Sequence, residues 1–209
     1  MPPPKRPGYL RSLSSYTQRN KPRLYVALYP RGGSESSFTR TSDCESYHWA
    51  LIVGPQTASR SDAGTRYHIA HSSTLSFADS RRVSVQSLVY EENDLPTTPS
   101  AQTMLVRIAV AKVINADYVR DILRSLPVAV DGVNDTCLAW VQNAFTELHS
   151  KHGCLKSYLC EEDWKEVEMV AREYCKRKRE QRRWTDADGP WDMGNVSTYT
   201  FWQNRETMP

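Results

Sequence analysis

Apolar residues occur in short runs that alternate with polar stretches rich in serine, proline and glycine, a spacing typical of strands joined by loops. The first run covers residues 23–29 and stops at a proline and two glycines, so it predicts a buried strand ending in a turn. The second, Tyr47–Gly54, follows a serine- and threonine-rich segment that we interpret as a surface loop. Residues 66–71 and 83–90 predict two further strands, the latter from alternating valines.

The second half of the chain combines one more strand with three helices. Residues 103–113 are mostly Val, Ile, Leu or Ala, which favours a central strand buried on both faces. Asn115 can cap a short helix that ends before a proline. Residues 137–149 carry apolar side chains at spacings of three and four, and 161–178 begin acidic and end basic; both patterns indicate helices.

These elements predict an α+β fold, in which an antiparallel sheet of about five strands packs against helices. Residues 1–22 are basic and proline-rich without an apolar period, and we expect a disordered arm there. Residues 23–183 then form a single domain. From 184 to 209 the sequence is polar with scattered aromatic residues, which predicts an extended tail.

Composition narrows the class of protein. At 209 residues, with 39% hydrophobic and 24% charged residues, the chain is neither collagen-like nor wholly disordered and suits one globular domain. Its longest apolar runs are far shorter than the roughly 20 residues needed to span a bilayer. The basic start lacks the apolar core of a secretory signal. We therefore expect a cytoplasmic protein without a membrane span; its oligomeric state stays open.

The cysteine pattern argues against structural sulfur chemistry. An odd number of cysteines without a CxxC pair fits neither a disulfide framework nor a four-thiolate zinc site. His149 and His152 lie one turn apart but lack two further ligands. We therefore expect reduced thiols, no metal and no cofactor. The five cysteines are Cys44, Cys137, Cys154, Cys160 and Cys175.

One cysteine and two histidines are placed for nucleophilic chemistry. Cys137 falls in the first turn of a predicted helix capped by Asp135 or Thr136, where unpaired N–H groups stabilise a thiolate. His48 opens a strand after a polar loop, so its imidazole can lie at a cleft and accept a thiol proton. His68 lies in the neighbouring strand and can hold the first imidazole in its working tautomer.

Three segments carry a resemblance to a known class of enzymes. Tyr47-His-Trp-Ala-Leu-Ile-Val-Gly54, Arg66-Tyr-His68 and Asp135-Thr-Cys-Leu-Ala-Trp-Val141 resemble the motifs of the lecithin:retinol acyltransferase and phospholipase/acyltransferase family. The order His, His, Cys is that of the circularly permuted papain-like fold, related to the NlpC-type peptidases. The chain is also similar to a family of uncharacterised fungal proteins over about 23–148. The resemblance therefore implies a circularly permuted papain-like fold.

The resemblance implies a role for each of the three residues. Cys137 would be the nucleophile, His48 the general base and then acid, and His68 the orienting group. The implied activity is a cysteine hydrolase or acyltransferase that cleaves an ester, thioester or amide of a small molecule or peptide through a thioester. Release by water or by an amine, including aminoacyl or peptidyl transfer, stays open, and Tyr25 or Tyr29 is a further candidate donor to the oxyanion.

A basic run near the end of the third predicted helix supports a different class of function. It consists of Lys176, Arg177, Lys178, Arg179, Arg182 and Arg183. Such a run can bind nucleic acid or another polyanion weakly, or it can be a solvated helix end. Under the first interpretation the protein is a non-catalytic papain-like binding module, since one fold can host unrelated functions.

Overall fold

Eight strands form one sheet in the described part of the computed structural model, which covers residues 20–30, 47–57, 63–78, 81–95, 104–128, 136–184 and 195–209. The strands are β1 (Arg23–Pro30), β2 (Tyr47–Gly54), β3 (Thr65–Ala78), β4 (Arg81–Asp94), β5 (Val106–Val113), β6 (Leu155–Lys156), β7 (Ser197–Thr200) and β8 (Arg205–Met208). Their order across the sheet is β4-β3-β2-β1-β5-β7-β8, with β6 paired to β5. The α+β class predicted from the sequence is confirmed.

Three helices cover one face of this sheet. They are α1 (Ala116–Ser125), α2 (Thr136–Ser150) and α3 (Trp164–Glu180), the last preceded by a 3-10 turn over Glu161–Asp163. The Asn115 side chain accepts from the Tyr118 N–H and caps α1, as predicted. The apolar side of α2 packs against Trp49 and Leu51 of β2 within one large hydrophobic cluster. This packing fixes the start of α2 against the sheet.

The other face carries a smaller cluster with several polar side chains among it. Tyr25, Ala27 and Tyr29 of β1 alternate to this side, and β2 places Ala50 and Ile52 opposite them. Because side chains alternate along a strand, the residues between these belong to the helix side. The two faces therefore differ in character, one an apolar helix–sheet core and the other a mixed aromatic and basic layer.

The predicted sheet of about five antiparallel strands is too small and too uniform. β7 pairs with β5 in parallel, so the sheet is mixed, and β8 extends it by another strand. The predicted extended tail is accordingly wrong for residues 195–209, whereas 185–194 lie outside the described residues. Strands β7 and β8 are short and polar, and backbone pairing holds them in the sheet. Their sequences show little apolar periodicity, so the pattern of apolar residues does not predict them.

The hairpin of β3 and β4 is longer than the sequence predicted. Each strand has 14 residues, and the two are paired along their whole length from Thr65 with Asp94 to Ala78 with Arg81. Described pairing between β2 and β3 is confined to residues 51–53 and 65–67. The hairpin therefore continues past the point where its pairing with β2 stops. The predicted arm lies outside the described residues except for 20–22.

Candidate functional site

The structure brings the two predicted histidines into direct contact. His48 is the second residue of β2, and His68 follows the last β2–β3 pair, Leu51 with Tyr67. Their side chains project from the same face, and His48 Nε2 lies 2.9 Å from His68 Nδ1. The rings meet edge to face, with centroids 4.9 Å apart. One nitrogen of each imidazole therefore lies at hydrogen-bonding distance from the other ring.

Two residues of β4 continue the chain of polar contacts beyond His68. Glu91 is paired with His68 in the sheet, and Asn93 two residues later projects from the same side. Glu91 Oε2 lies 3.3 Å from His68 Nε2, and Asn93 Nδ2 lies 3.2 Å from the same nitrogen. Asn93 Nδ2 also donates to Glu91 Oε2 at 3.1 Å. Sequence reasoning missed both residues, because they are identified only by the β3–β4 register.

His68 is neutral in this environment. Burial, reinforced by the positive charge of Arg66 and by His48, lowers the pKa of His68 to about 3. The Glu91 carboxylate acts in the opposite direction, but its side chain is 43% exposed, so solvent weakens its effect on the pKa of His68 below that of burial. A neutral imidazole carries a single N–H. The position of that hydrogen decides which neighbour can donate a hydrogen bond to His68.

Cys137 is the second residue of α2, in the first helical turn as predicted. Its side chain is 6% exposed and belongs to the cluster on the helix side of the sheet. Sγ lies 3.9 Å from the carbonyl oxygen of Tyr47, the residue before His48. That oxygen and the next Cα are about 2.8 Å apart across a trans peptide, so Sγ lies within about 7 Å of His48 Cα.

The thiol and the imidazoles approach β2 from different sides. The register places Tyr47 on the helix side with Cys137, and His48 on the opposite side with Tyr29. They come near each other at the start of β2, where no pairing with β3 is described. The contact between Cys137 Sγ and the Tyr47 carbonyl oxygen lies at this end of the strand.

The two tyrosines predicted as candidate donors differ in their surroundings. The Tyr25 hydroxyl donates to the Pro55 carbonyl oxygen at 3.0 Å, away from the histidines. Tyr29 is paired with His48 in the sheet, and their ring centroids lie 6.3 Å apart. Burial raises the pKa of Tyr29 to about 12, with Arg66 opposing part of this shift. Tyr29 thus stays a protonated donor beside His48.

The other cysteines lie in places unlike that of Cys137. Cys154 Sγ donates to the Leu148 carbonyl oxygen at 3.3 Å, and burial raises its thiol pKa. Burial also raises the pKa of Cys175 to about 11. Cys160 is exposed, and Cys44 lies outside the described residues. Raised pKa values make the two buried thiols poor nucleophiles at neutral pH.

The basic run is partly built into the fold. Lys178 is 3% exposed and forms an ion pair with Glu206 of β8. Arg179 donates to the Tyr47 hydroxyl at 2.9 Å, and Arg183 donates to the Asn195 carbonyl oxygen at 2.8 Å. The three remaining basic side chains, Lys176, Arg177 and Arg182, are exposed. About half of the predicted polyanion surface is therefore engaged inside the molecule.

Fold and site together define an α+β protein with a histidine pair on one face of its sheet. A cysteine at the start of a helix lies on the opposite face. A family model described as "Family of unknown function (DUF6914)" matches residues 21–208. The chain belongs to the DUF6914 family. No curated protein and no solved structure matches it. No helix in the described segments is long and apolar enough to cross a membrane.

Proposed function

We propose that the protein is a thiol-dependent hydrolase or acyltransferase in which Cys137 attacks an ester, thioester or amide carbonyl. The observation that carries the proposal is the 3.9 Å contact between Cys137 Sγ and the Tyr47 carbonyl oxygen. The next residue is His48, which lies within hydrogen-bonding distance of His68. A nucleophile near a base that is itself held by a third group is the general arrangement of covalent acyl transfer. The resemblance to circularly permuted papain-like enzymes supports the same assignment.

The proposed reaction has two halves. His48 takes the thiol proton while Cys137 Sγ bonds to the carbonyl carbon, and the tetrahedral intermediate expels its alcohol, thiol or amine with that proton. The result is a thioester on Cys137. Water or an amine then attacks the thioester, loses a proton to His48, and releases the acyl group while the thiol is restored. Two oxyanion donors are available in principle, the N–H of Cys137 at the helix start and the Tyr29 hydroxyl.

The position of Cys137 in α2 supports its selection over the other thiols. The second residue of a helix lies among N–H groups that have no partner within the helix. These groups and the positive end of the helix dipole favour the thiolate. Burial raises the pKa values of Cys154 and Cys175, and exposed Cys160 caps a short 3-10 turn instead of opening an α-helix.

The test is acylation of the intact protein by activated esters. The background is Cys44→Ser, Cys160→Ser, which removes the exposed thiol of Cys160 and the thiol of Cys44, a residue outside the described ranges. In this background we expect a panel of p-nitrophenyl esters to leave one acyl group on Cys137. Mass spectrometry of the whole protein and of its peptides locates that group. Cys137→Ala should lose the adduct completely, whereas the matched control Cys175→Ala should keep it.

Two results would contradict the proposal. One is an acyl group that persists in Cys137→Ala, which would place the nucleophile elsewhere. The other is a folded protein in which none of the esters modifies Cys137 and iodoacetamide alkylates it no faster than buried Cys154. Either result removes the thioester mechanism, and the second shows that the sulfur is not accessible.

A further inference from the structure

Two neighbours compete for the same nitrogen of His68. Glu91 Oε2 at 3.3 Å can accept a hydrogen from Nε2, whereas Asn93 Nδ2 at 3.2 Å can only donate to it. Since His68 is neutral, Nε2 either carries the hydrogen and donates to Glu91 or lacks it and accepts from Asn93. These two states are the two tautomers of the ring. In the first, His68 Nδ1 accepts a hydrogen bond from His48, and in the second it donates one to His48.

The tautomer of His68 decides which nitrogen of His48 can act as a base. If His68 carries its hydrogen on Nε2, its Nδ1 accepts from His48 Nε2–H across the 2.9 Å contact, and His48 Nδ1 keeps a lone pair. If the hydrogen is on His68 Nδ1, it is donated to His48 Nε2. Neutral His48 then carries its hydrogen on Nδ1, which leaves no ring nitrogen able to take a proton from a thiol.

The charge of Glu91 decides between the two states. A hydrogen bond to an ionised carboxylate is roughly twice as strong as one between neutral groups, so N–H donation to Glu91 outweighs acceptance from the Asn93 amide. Placing a bare nitrogen lone pair against the carboxylate oxygen would also be repulsive. Asn93 keeps a partner in either state, because its amide donates to Glu91 Oε2 at 3.1 Å.

We infer that Glu91 is a positioning residue that fixes His68 as the Nε2–H tautomer and thereby leaves His48 Nδ1 as the base of the site. The catalytic consequence rests on the proposed function, but the tautomer itself does not. Glu91 acts through His68, and its proposed role requires no contact with Cys137 or with a substrate. Asn93 is the competing group, and it takes control of His68 Nε2 when the carboxylate is removed.

The experiment reads the tautomer directly by nitrogen-15 NMR of the His68 ring in the full chain. Wild type should show a protonated Nε2 and a bare Nδ1. Glu91→Ala should reverse this assignment, because Asn93 then donates to Nε2 unopposed. Asn93→Ala is the matched control two residues away on the same strand face, and it should keep the wild-type tautomer.

Activity supplies the second measurement. With the ester that acylates Cys137, Glu91→Ala should lower the acylation rate by up to about 100-fold, the lower end of a general-base effect, because His48 then carries its hydrogen on Nδ1. Glu91→Asp should recover part of the rate, and the control His71→Ala, which removes an exposed imidazole of the same strand as His68, should leave the rate unchanged.

The outcomes separate this inference from the proposed function. A protonated Nδ1 in wild-type His68, or a tautomer unchanged in Glu91→Ala, overturns the role of Glu91 even if Cys137 is acylated. A reversed tautomer in Glu91→Ala upholds that role even if no ester reacts, in which case the acyl-transfer proposal fails alone. If Asn93→Ala loses the Nε2–H tautomer of His68 and Glu91→Ala keeps it, then Asn93 and not Glu91 fixes the tautomer.

Discussion

His68 occupies the centre of the polar contacts of the site. It is buried between an imidazole on one side and a carboxylate with an amide on the other, and each of its ring nitrogens has a neighbour within 3.3 Å. In a buried neutral imidazole with these neighbours, the hydrogen bond at one ring nitrogen determines whether the other nitrogen carries the hydrogen. His68 can therefore couple the carboxylate on one side to the imidazole on the other.

Neutral His68 makes the stability of the protein depend on pH. Its folded-state pKa of about 3 lies below the value of about 6.5 expected in the unfolded chain, so between these values the unfolded state binds more protons. The stability associated with neutral His68 is therefore present above pH 6.5 and is lost as the pH falls toward 3. His149, whose pKa burial also lowers, acts in the same direction.

We expect His68→Asn to flatten this dependence. Between pH 6.5 and pH 4, the free energy of unfolding of wild type should fall more steeply than that of the variant, by at most about 1.4 kcal/mol per pH unit for one proton. Urea unfolding across this range measures both slopes, and His149 contributes equally to each. Parallel slopes would show that His68 is already protonated in the folded state near its ordinary pKa.

The sequence was informative about single residues where the local pattern is strong. Cys137 at a helix start, His48 at a strand start and His68 within a strand could be proposed because each lies at a recognisable place in an apolar period. Glu91 and Asn93 could not, since their importance depends on lying opposite His68 and Arg66 across a hairpin. That register is set by pairing along the whole length of two long strands and not by the local sequence.

At the scale of elements, the last strand is tied to α3 through a buried cation. Lys178 forms an ion pair with Glu206 of β8, and the Tyr174 hydroxyl donates to the same carboxylate at 2.6 Å. The ammonium of Lys178 also lies 5.7 Å from the centre of the Tyr174 ring. A buried ammonium depends on such partners, because desolvation is otherwise costly.

Glu206→Ala should therefore destabilise the protein strongly. Breaking a fully buried pair costs about 3–5 kcal/mol. We expect a smaller loss of about 2–3 kcal/mol here, because the Glu206 side chain remains 32% exposed. The control is Glu147→Ala, which removes an exposed helical pair with Lys151 and should cost no more than about 0.5 kcal/mol. Denaturant unfolding of both variants checks the contrast, and equal small losses would mean that β8 contributes little to the fold.

The same contact explains why sequence reasoning placed a tail where the structure has strands. Helices α1, α2 and α3 and strands β1, β2 and β5 were predictable because their apolar positions repeat with the period of the element. Strands β7 and β8 lack that repetition, and Lys178 looks in the sequence like one more solvated charge of a basic run. The burial of this lysine depends on a carboxylate in the last strand, which no local pattern shows.

At the scale of the whole molecule, the sheet separates two kinds of surface. The helix side is an apolar core that includes Cys137, and the other side carries the His48–His68 pair with its polar neighbours. A reaction between the thiol and an imidazole therefore has to take place at the start of β2. The proposed mechanism requires Cys137 and His48 to act as one site across that end of the sheet.

Iodoacetamide alkylation of Cys137 at neutral pH probes this requirement, with the rate measured in the Cys44→Ser, Cys160→Ser background. If His48 takes the thiol proton, His48→Ala should slow alkylation of Cys137 by about 100-fold or more, from the lower end of general-base effects upward. His71→Ala, which removes an exposed imidazole from the neighbouring strand, should leave the rate unchanged. Equal rates in wild type and His48→Ala would mean that the thiol and the imidazole do not work together.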